Sequence, residues 1–270
     1  MGLSLADFVV TEAGFGADLG AEKFMHIKGY YGNLKPDAYV LVATIRALRY
    51  HGGAKKGEYE KPNLAAVEKG IENLKKHIEN GFKWQLKPIV AINHFATDSE
   101  EEINFVKAEC EKLGVKAILA DEFTMGGEGM KALAEEVASC AFNCGNNFKP
   151  LYNVEDSVEH KIETIAKEVY GADSAVFSQK AKNQLKSIYE LGLDKLPICM
   201  AKTQKSLSDD EKKIGRPTGF KVTVREFEFA AGAGFIIPIL GDMMRMPGLP
   251  SIPAAEGMNI DKDGVITGLS

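Results

Sequence analysis

Apolar and polar positions along this chain follow two rhythms. Short continuous apolar runs occur at Phe8–Thr11, Ala38–Thr44, Pro88–Asn93 and Ala117–Ala120. Between them lie longer stretches in which apolar residues return every three or four positions, as in Leu64, Val67, Ile71, Leu74 and Ile78. The runs read as strands buried on both faces, and the spaced stretches as helices. Asn63 is a cap for the helix that starts at Leu64, and Thr97 or Asp98 for one rich in glutamate with Ile103, Val106 and Leu113 inside. A further helix begins near Met130, and the Gly- and Lys-rich stretch around His51–Lys61 is a loop. Repeated strand, loop and helix units imply a mostly parallel sheet flanked by helices.

The rhythm changes near Gly145–Pro150. Beyond it the pattern predicts helices over Val158–Tyr170 and Lys180–Leu191, and strands over Pro197–Ala201, Phe220–Phe229 and Phe235–Leu240. A small hairpin over Asn259–Ile266 turns on Asp263-Gly264. The expected fold class is therefore α/β, with a parallel region over 1–148 and a smaller mixed α/β region over 149–270.

Composition narrows the function classes. The net charge is −5, with both signs interleaved, which disfavours a nucleic-acid or anionic-membrane partner needing a clustered basic face. No apolar run reaches membrane-spanning length, and no secretion signal stands at the N-terminus. The four cysteines include one close pair, Cys140 and Cys144, with no histidine at ligand spacing. Reduced thiols and a cytoplasmic location are the expectation, and no metal site.

Ligands of parallel α/β folds sit outside the carboxyl ends of the strands. Three loops are expected there, bearing Phe15, Phe95 and Phe123. The first, Gly14–Gly20, has the glycines of an anion-holding turn, but Asp18 and Glu22 occupy the positive helix end themselves. Its spacing is not that of the dinucleotide fingerprint, and no Gly-x-x-x-x-Gly-Lys-Ser/Thr occurs anywhere in the chain. Phe95 and Phe123 stand among small and polar residues, where two rings can hold a flat heteroaromatic ligand or be covered by neighbouring loops. Asn93-His94-Phe95-Ala96 fails as a guanine reader, because Ala96 replaces the required aspartate. Lys202 and Lys205 can meet anions but read first as solvated loop lysines. Met246-Pro247-Gly248-Leu249-Pro250 is a rigid turn suited to lie over a site, and the nearby methionines read as core filler.

Together these segments resemble the formate–tetrahydrofolate ligase family. The resemblance is carried by Val10-Thr11-Glu12-Ala13-Gly14-Phe15-Gly16-Ala17-Asp18-Leu19-Gly20-Ala21-Glu22-Lys23-Phe24, and by Leu41-Val42-Ala43-Thr44 with His51-Gly52-Gly53. It continues through Ala91-Ile92-Asn93, Thr97-Asp98, Gly126-Gly127-Glu128-Gly129, Leu196–Thr203 and Met246–Pro250. Members make formyl phosphate from formate and ATP; the N10 amine of tetrahydrofolate then attacks it, giving 10-formyltetrahydrofolate, ADP and phosphate.

The resemblance implies that Phe95 and Phe123 flank the flat pterin or adenine ring, with Asn93 and Leu119 beside them. It implies that Phe15 and Gly16 lie by the formyl phosphate, and that Pro247, Gly248, Leu249 and Pro250 form a loop near the site. Substrates would be formate, tetrahydrofolate and ATP with Mg2+; a monovalent cation and a homo-oligomer are compatible with it. The family usually has tryptophan where Phe123 stands and often proline where Ala96 stands, which bears on ring affinity more than on chemistry.

The match corresponds to the C-terminal half of the family, a P-loop NTPase-like fold without its phosphate-loop half. The expectation is a folate-side portion that is inactive until an N-terminal phosphate-loop half is supplied. The alternatives are a non-catalytic folate- or nucleotide-binding module, and a remnant that only self-associates.

Overall fold

The computed structural model describes residues 1–143, 145, 147–241 and 252–268. Strands β1 (Tyr39–Ala43), β2 (Pro88–Asn93) and β3 (Ala117–Ala120) form a parallel sheet in the order β1-β2-β3. Register pairs Val40 with Ile89 and Asn93 with Ala120, so the strands end side by side. The sheet is covered by the helices Leu64–Lys83, Glu100–Lys112 and Gly127–Asn143. Val67, Ile71, Leu74 and Ile78 meet Leu41, Val90, Ile92, Ile103 and Val106 in one core, while Ile89, Ala91, Ala120 and Leu133 fill another. Alternate residues of β2 thus point into different cores, which is why Pro88–Asn93 has no polar position before its last.

Local signals set the helix starts. Asn63 accepts from the Ala66 N–H at 3.1 Å, as its position suggested. The glutamate-rich helix is capped by Ser99, not by Thr97 or Asp98. Ser99 and Glu102 form a reciprocal capping box, which satisfies two free backbone donors where Asp98 would satisfy one. Asp98 is instead used one turn earlier, closing the Phe95 loop. The helix Ile45–His51, capped by Thr44, follows β1 directly.

The second sheet is mixed: β4 (Ser174–Phe177) runs parallel to β5 (Lys221–Ala230), which pairs antiparallel with β6 (Phe235–Leu240). The hairpin β7–β8 (Asn259–Ile260 and Ile266–Thr267) turns at Gly264, whose φ is +82°. The expected strand at Pro197–Ala201 is an extended segment joined to β6 by isolated bridges at Ile198 and Ala201. Cys199 N–H donates to Ile236 O at 2.8 Å and Ala201 N–H to Pro238 O at 2.9 Å. Pro238 has no N–H to return, so the ladder breaks there.

The expected strand at Phe8–Thr11 is absent. Among the described residues the segment has no regular secondary structure and no ladder partner, and Val10 is 90 % exposed. Phe8 packs edge-on against Phe142, with ring centres 5.4 Å apart. An apolar run becomes a strand only where a neighbouring strand accepts its hydrogen bonds. One continuous core links Ala21, Met25 and Trp84 with Tyr152, Ile162, Val222 and Ile236, on both sides of residue 148. Among the described residues, no helix is long and apolar enough to cross a membrane.

Candidate functional site

The loops leaving β2 and β3 lie next to each other because the two strands end in register. The ladder runs one residue further: His94 N–H donates to Ala120 O at 2.9 Å. Phe95 and Phe123 follow immediately, 42 % and 95 % exposed. Asn93, the last residue of β2, and Leu119, the last but one of β3, are half-buried at the same strand ends.

The Phe95 loop is held from below. Phe95 N–H donates to Asp98 Oδ2 at 2.9 Å, and Asp98 N–H to Phe95 O at 2.8 Å. Arg49, fully buried, donates to Thr97 O at 3.1 Å and to Tyr59 O at 2.8 Å. Its guanidinium also grips Glu102 through two bonds, Nε–Oε1 at 2.8 Å and Nη2–Oε2 at 2.6 Å. Burial pushes the Glu102 carboxyl up, but Arg49, the Asn63 N–H and Ser99 together hold it at about 2. Burial raises the Asp98 carboxyl above its ordinary range. On the β3 side, a turn of helix at Glu122–Met125 carries Phe123, and Gly129 seats the next helix on it. A Cβ at Gly129 would fall 2.2 Å from Asp121 O, so a larger residue would push helix and strand exit apart.

The glycine loop has a different setting. It follows no strand, and Phe15 sits in the left-handed region, at φ +60°, with its side chain 69 % exposed. The turn closes through Leu19 N–H and Gly20 N–H, both donating to Gly16 O at 2.9 Å. Gly20 is required by close approach: a Cβ there would lie 1.9 Å from Gly14 O.

Asp18 and Glu22 are turned inward and matched there, not spent on a helix end. Asp18 pairs with Lys202 at 2.7 Å, both almost fully buried. Lys202 also donates to Thr203 O at 3.0 Å and to Ser206 O, and lies 5.0 Å above the Tyr170 ring. Lys202 is thus a core residue, contrary to its reading as a solvated loop lysine; Lys205 is the exposed one, paired with Glu211 at 2.8 Å. Burial works to raise the Asp18 carboxyl, yet Lys202 and His77 outweigh it and hold the group below its usual range. Glu22 accepts from His26 Nδ1 at 2.9 Å, and His26 Nε2 accepts from Leu151 N–H at 3.1 Å. That assigns the imidazole proton to Nδ1. These contacts, invisible to local pattern, tie the loop to residues more than a hundred positions away.

Beside the loop is a cleft of about 350 Å³ bordered by Glu12, Ala13, Lys23, Phe24, Cys199 and Phe235. Burial raises the Cys199 thiol, which makes it a poor nucleophile. Among the described residues, no group of three or more His, Cys, Asp or Glu is placed to hold a metal ion. Pro247, Gly248, Leu249 and Pro250 lie outside the described residues, as do Met243, Met244 and Cys144.

Fold and loops define an α/β protein with two exposed aromatics, Phe95 and Phe123, just past the carboxyl ends of adjacent parallel strands, the place where this class binds its ligands. A family model described as formate–tetrahydrofolate ligase matches residues 1–270. The chain belongs to the formate–tetrahydrofolate ligase family, whose members use ATP, formate and tetrahydrofolate in folate-borne one-carbon metabolism.

Proposed function

We propose that this chain supplies the tetrahydrofolate side of a formate–tetrahydrofolate ligase. Phe95 and Phe123 hold the flat ring of the ligand, with Asn93 and Leu119 at its base and Pro247–Pro250 nearby. Phe15 and Gly16 border the formyl phosphate. The observation that carries this reading is the exposure of Phe95 and Phe123 on adjacent exits of β2 and β3. Large aromatics left open in that position gain most when a flat ligand covers them.

In the reaction, the N10 amine attacks the formyl carbon of formyl phosphate. A C–N bond forms, the C–O bond to phosphate breaks, and the amine proton is lost. Rigid loops matter here because positioning the amine against the acyl carbon lowers the entropic part of the barrier. Making formyl phosphate needs charge stabilisation on a transferring phosphoryl group, usually from a phosphate loop, a lysine and Mg2+. Residues 1–270 contain no Gly-x-x-x-x-Gly-Lys-Ser/Thr, so we assign that step to a segment outside them. A monovalent cation, a homo-oligomeric assembly and a cytoplasmic location belong to the same reading, with residues 1–148 carrying the ring-binding side.

The test is ATP- and formate-dependent formation of 10-formyltetrahydrofolate, by the chain alone and mixed with a phosphate-loop half from the family. Product only in the mixture supports the proposal. Product from the chain alone would contradict the assignment of phosphate activation. Tetrahydrofolate binding without product in an associated mixture would make the chain a binding module.

A further inference from the structure

His94 and Asp121 stand between the two aromatic loops, and nothing in the proposed reaction has used them. His94 immediately precedes Phe95; Asp121 is two residues before Phe123. Its N–H bond to Ala120 O fixes His94 across from the β3 exit. The imidazole Nδ1 lies 3.6 Å from Asp121 Oδ2, and both side chains are largely but not wholly enclosed, 25 % and 17 % exposed. Nδ1 and Asp121 Oδ1 are sealed from solvent and have no hydrogen-bond partner.

Two sealed, unpartnered polar atoms in one place are costly unless a further event satisfies them. The gap between Nδ1 and Oδ2 exceeds a hydrogen bond by a few tenths of an ångström, within reach of a small side-chain rotation. A carboxylate can only accept, so contact with it fixes the imidazole proton on Nδ1. In the neutral imidazole, Nε2, on the unsealed side of the ring, is then the hydrogen-bond acceptor.

Resting on the ring site proposed above, we infer that His94, oriented by Asp121, determines which flat ring the two phenylalanines accept. An outward acceptor between them favours a heterocycle with N–H groups along its edge. Of the family's two flat substrates, the reduced pterin carries such donors on both rings and on its 2-amino group, whereas a nucleotide's adenine offers the exocyclic amine alone. His94 therefore selects the pterin, and Asp121 is its positioning residue.

The test exploits the two amides that mimic one imidazole nitrogen each. In His94→Asn the amide replaces Nδ1 and keeps the tie to Asp121 but loses Nε2. In His94→Gln the amide reaches the Nε2 position. Tetrahydrofolate and ADP are titrated calorimetrically into the wild-type chain and both variants, with Phe95→Ala as a control and the urea midpoint recorded for each. The expected result is tetrahydrofolate binding weakened roughly fivefold to tenfold in His94→Asn and nearly retained in His94→Gln, with ADP affinity the same in all. Unchanged tetrahydrofolate binding in His94→Asn, alongside weakened binding in Phe95→Ala, would overturn the role of His94 and leave the ring site standing. Equal loss in His94→Asn and His94→Gln would make the residue a structural tie and overturn the inference. Absence of tetrahydrofolate binding by the wild-type chain, or binding untouched by Phe95→Ala, would overturn the ring site and this inference with it.

Discussion

Asp18 and Lys202 form an ion pair at 2.7 Å inside the protein, joining the glycine loop to the segment that runs beside β6. They are 184 positions apart in sequence (202 − 18) and almost fully buried. Breaking such a pair on one side leaves a buried charge without its partner. Asp18→Asn or Lys202→Met should each cost on the order of 3–5 kcal/mol. The double variant should recover a large part of that loss, because no isolated charge remains. Urea unfolding of the four proteins measures this cycle; additive losses would show that the two residues act independently.

The same pair predicts part of the acid response. Asp18 has a lowered folded-state pKa, so its contribution is present above its unfolded value near 4 and is lost as pH falls through the folded value. Glu102, held at about 2, behaves the same way.

His51 acts at higher pH. Its Nδ1 accepts from Gly215 N–H at 3.1 Å, and burial lowers its pKa to about 4. The unfolded chain takes up this proton near pH 6.5 while the folded protein does not. Stability should therefore rise as pH increases from about 4 to about 6.5 and level off above. His77, also buried with a lowered pKa, adds in the same direction. His51→Asn keeps an acceptor for Gly215 but cannot titrate, so its urea midpoint should vary less over that window. An unchanged slope would remove His51 as a source of it.

If the Phe95 loop holds the ligand as proposed, Arg49 links stability to binding, since it supports both Glu102 and the Thr97 carbonyl in that loop. Arg49→Met should destabilise by roughly 3 kcal/mol or more, as expected for a buried pair with one partner removed. It should also weaken tetrahydrofolate binding at temperatures where the variant stays folded. Thermal unfolding and calorimetry on one preparation separate the two effects; full affinity in the folded variant would show that the Phe95 loop does not depend on this arginine.

Local physics made much of the parallel sheet legible. Ala38–Thr44, Pro88–Asn93 and Ala117–Ala120 are legible by their uninterrupted apolar character, though only the central Pro88–Asn93 is covered on both faces, Val42 of β1 being 62 % exposed, and Asn63 caps through its own third neighbour. Phe8–Thr11 has the same character but lacks a ladder partner, a condition set by distant chain. Pro197–Ala201 was limited by a proline on the opposite strand, and β4 is too short to show a period. Of the candidate site, the strand-exit positions of Phe95 and Phe123 follow from alternation of strand and helix alone. Asp18–Lys202 and Arg49–Glu102 do not, since charge pairs across 184 and 53 positions leave no local spacing to read. A lysine placed directly after the apolar segment Pro197–Ala201 was the only hint that Lys202 turns inward.

The most direct measurement is a calorimetric titration of tetrahydrofolate into the wild-type chain and into Phe95→Ala, Phe123→Ala and their combination. Phe123, 95 % exposed, can be truncated with a stability change of less than about 0.5 kcal/mol; Phe95, 42 % exposed, also gives up buried area, so the urea midpoint of each variant is recorded beside its affinity. Each single variant should bind roughly tenfold more weakly, and the double variant should show no measurable binding at the same concentrations. Wild-type affinity in the double variant, or no binding by the wild-type chain itself, would contradict the assignment of these two strand exits to the folate ring.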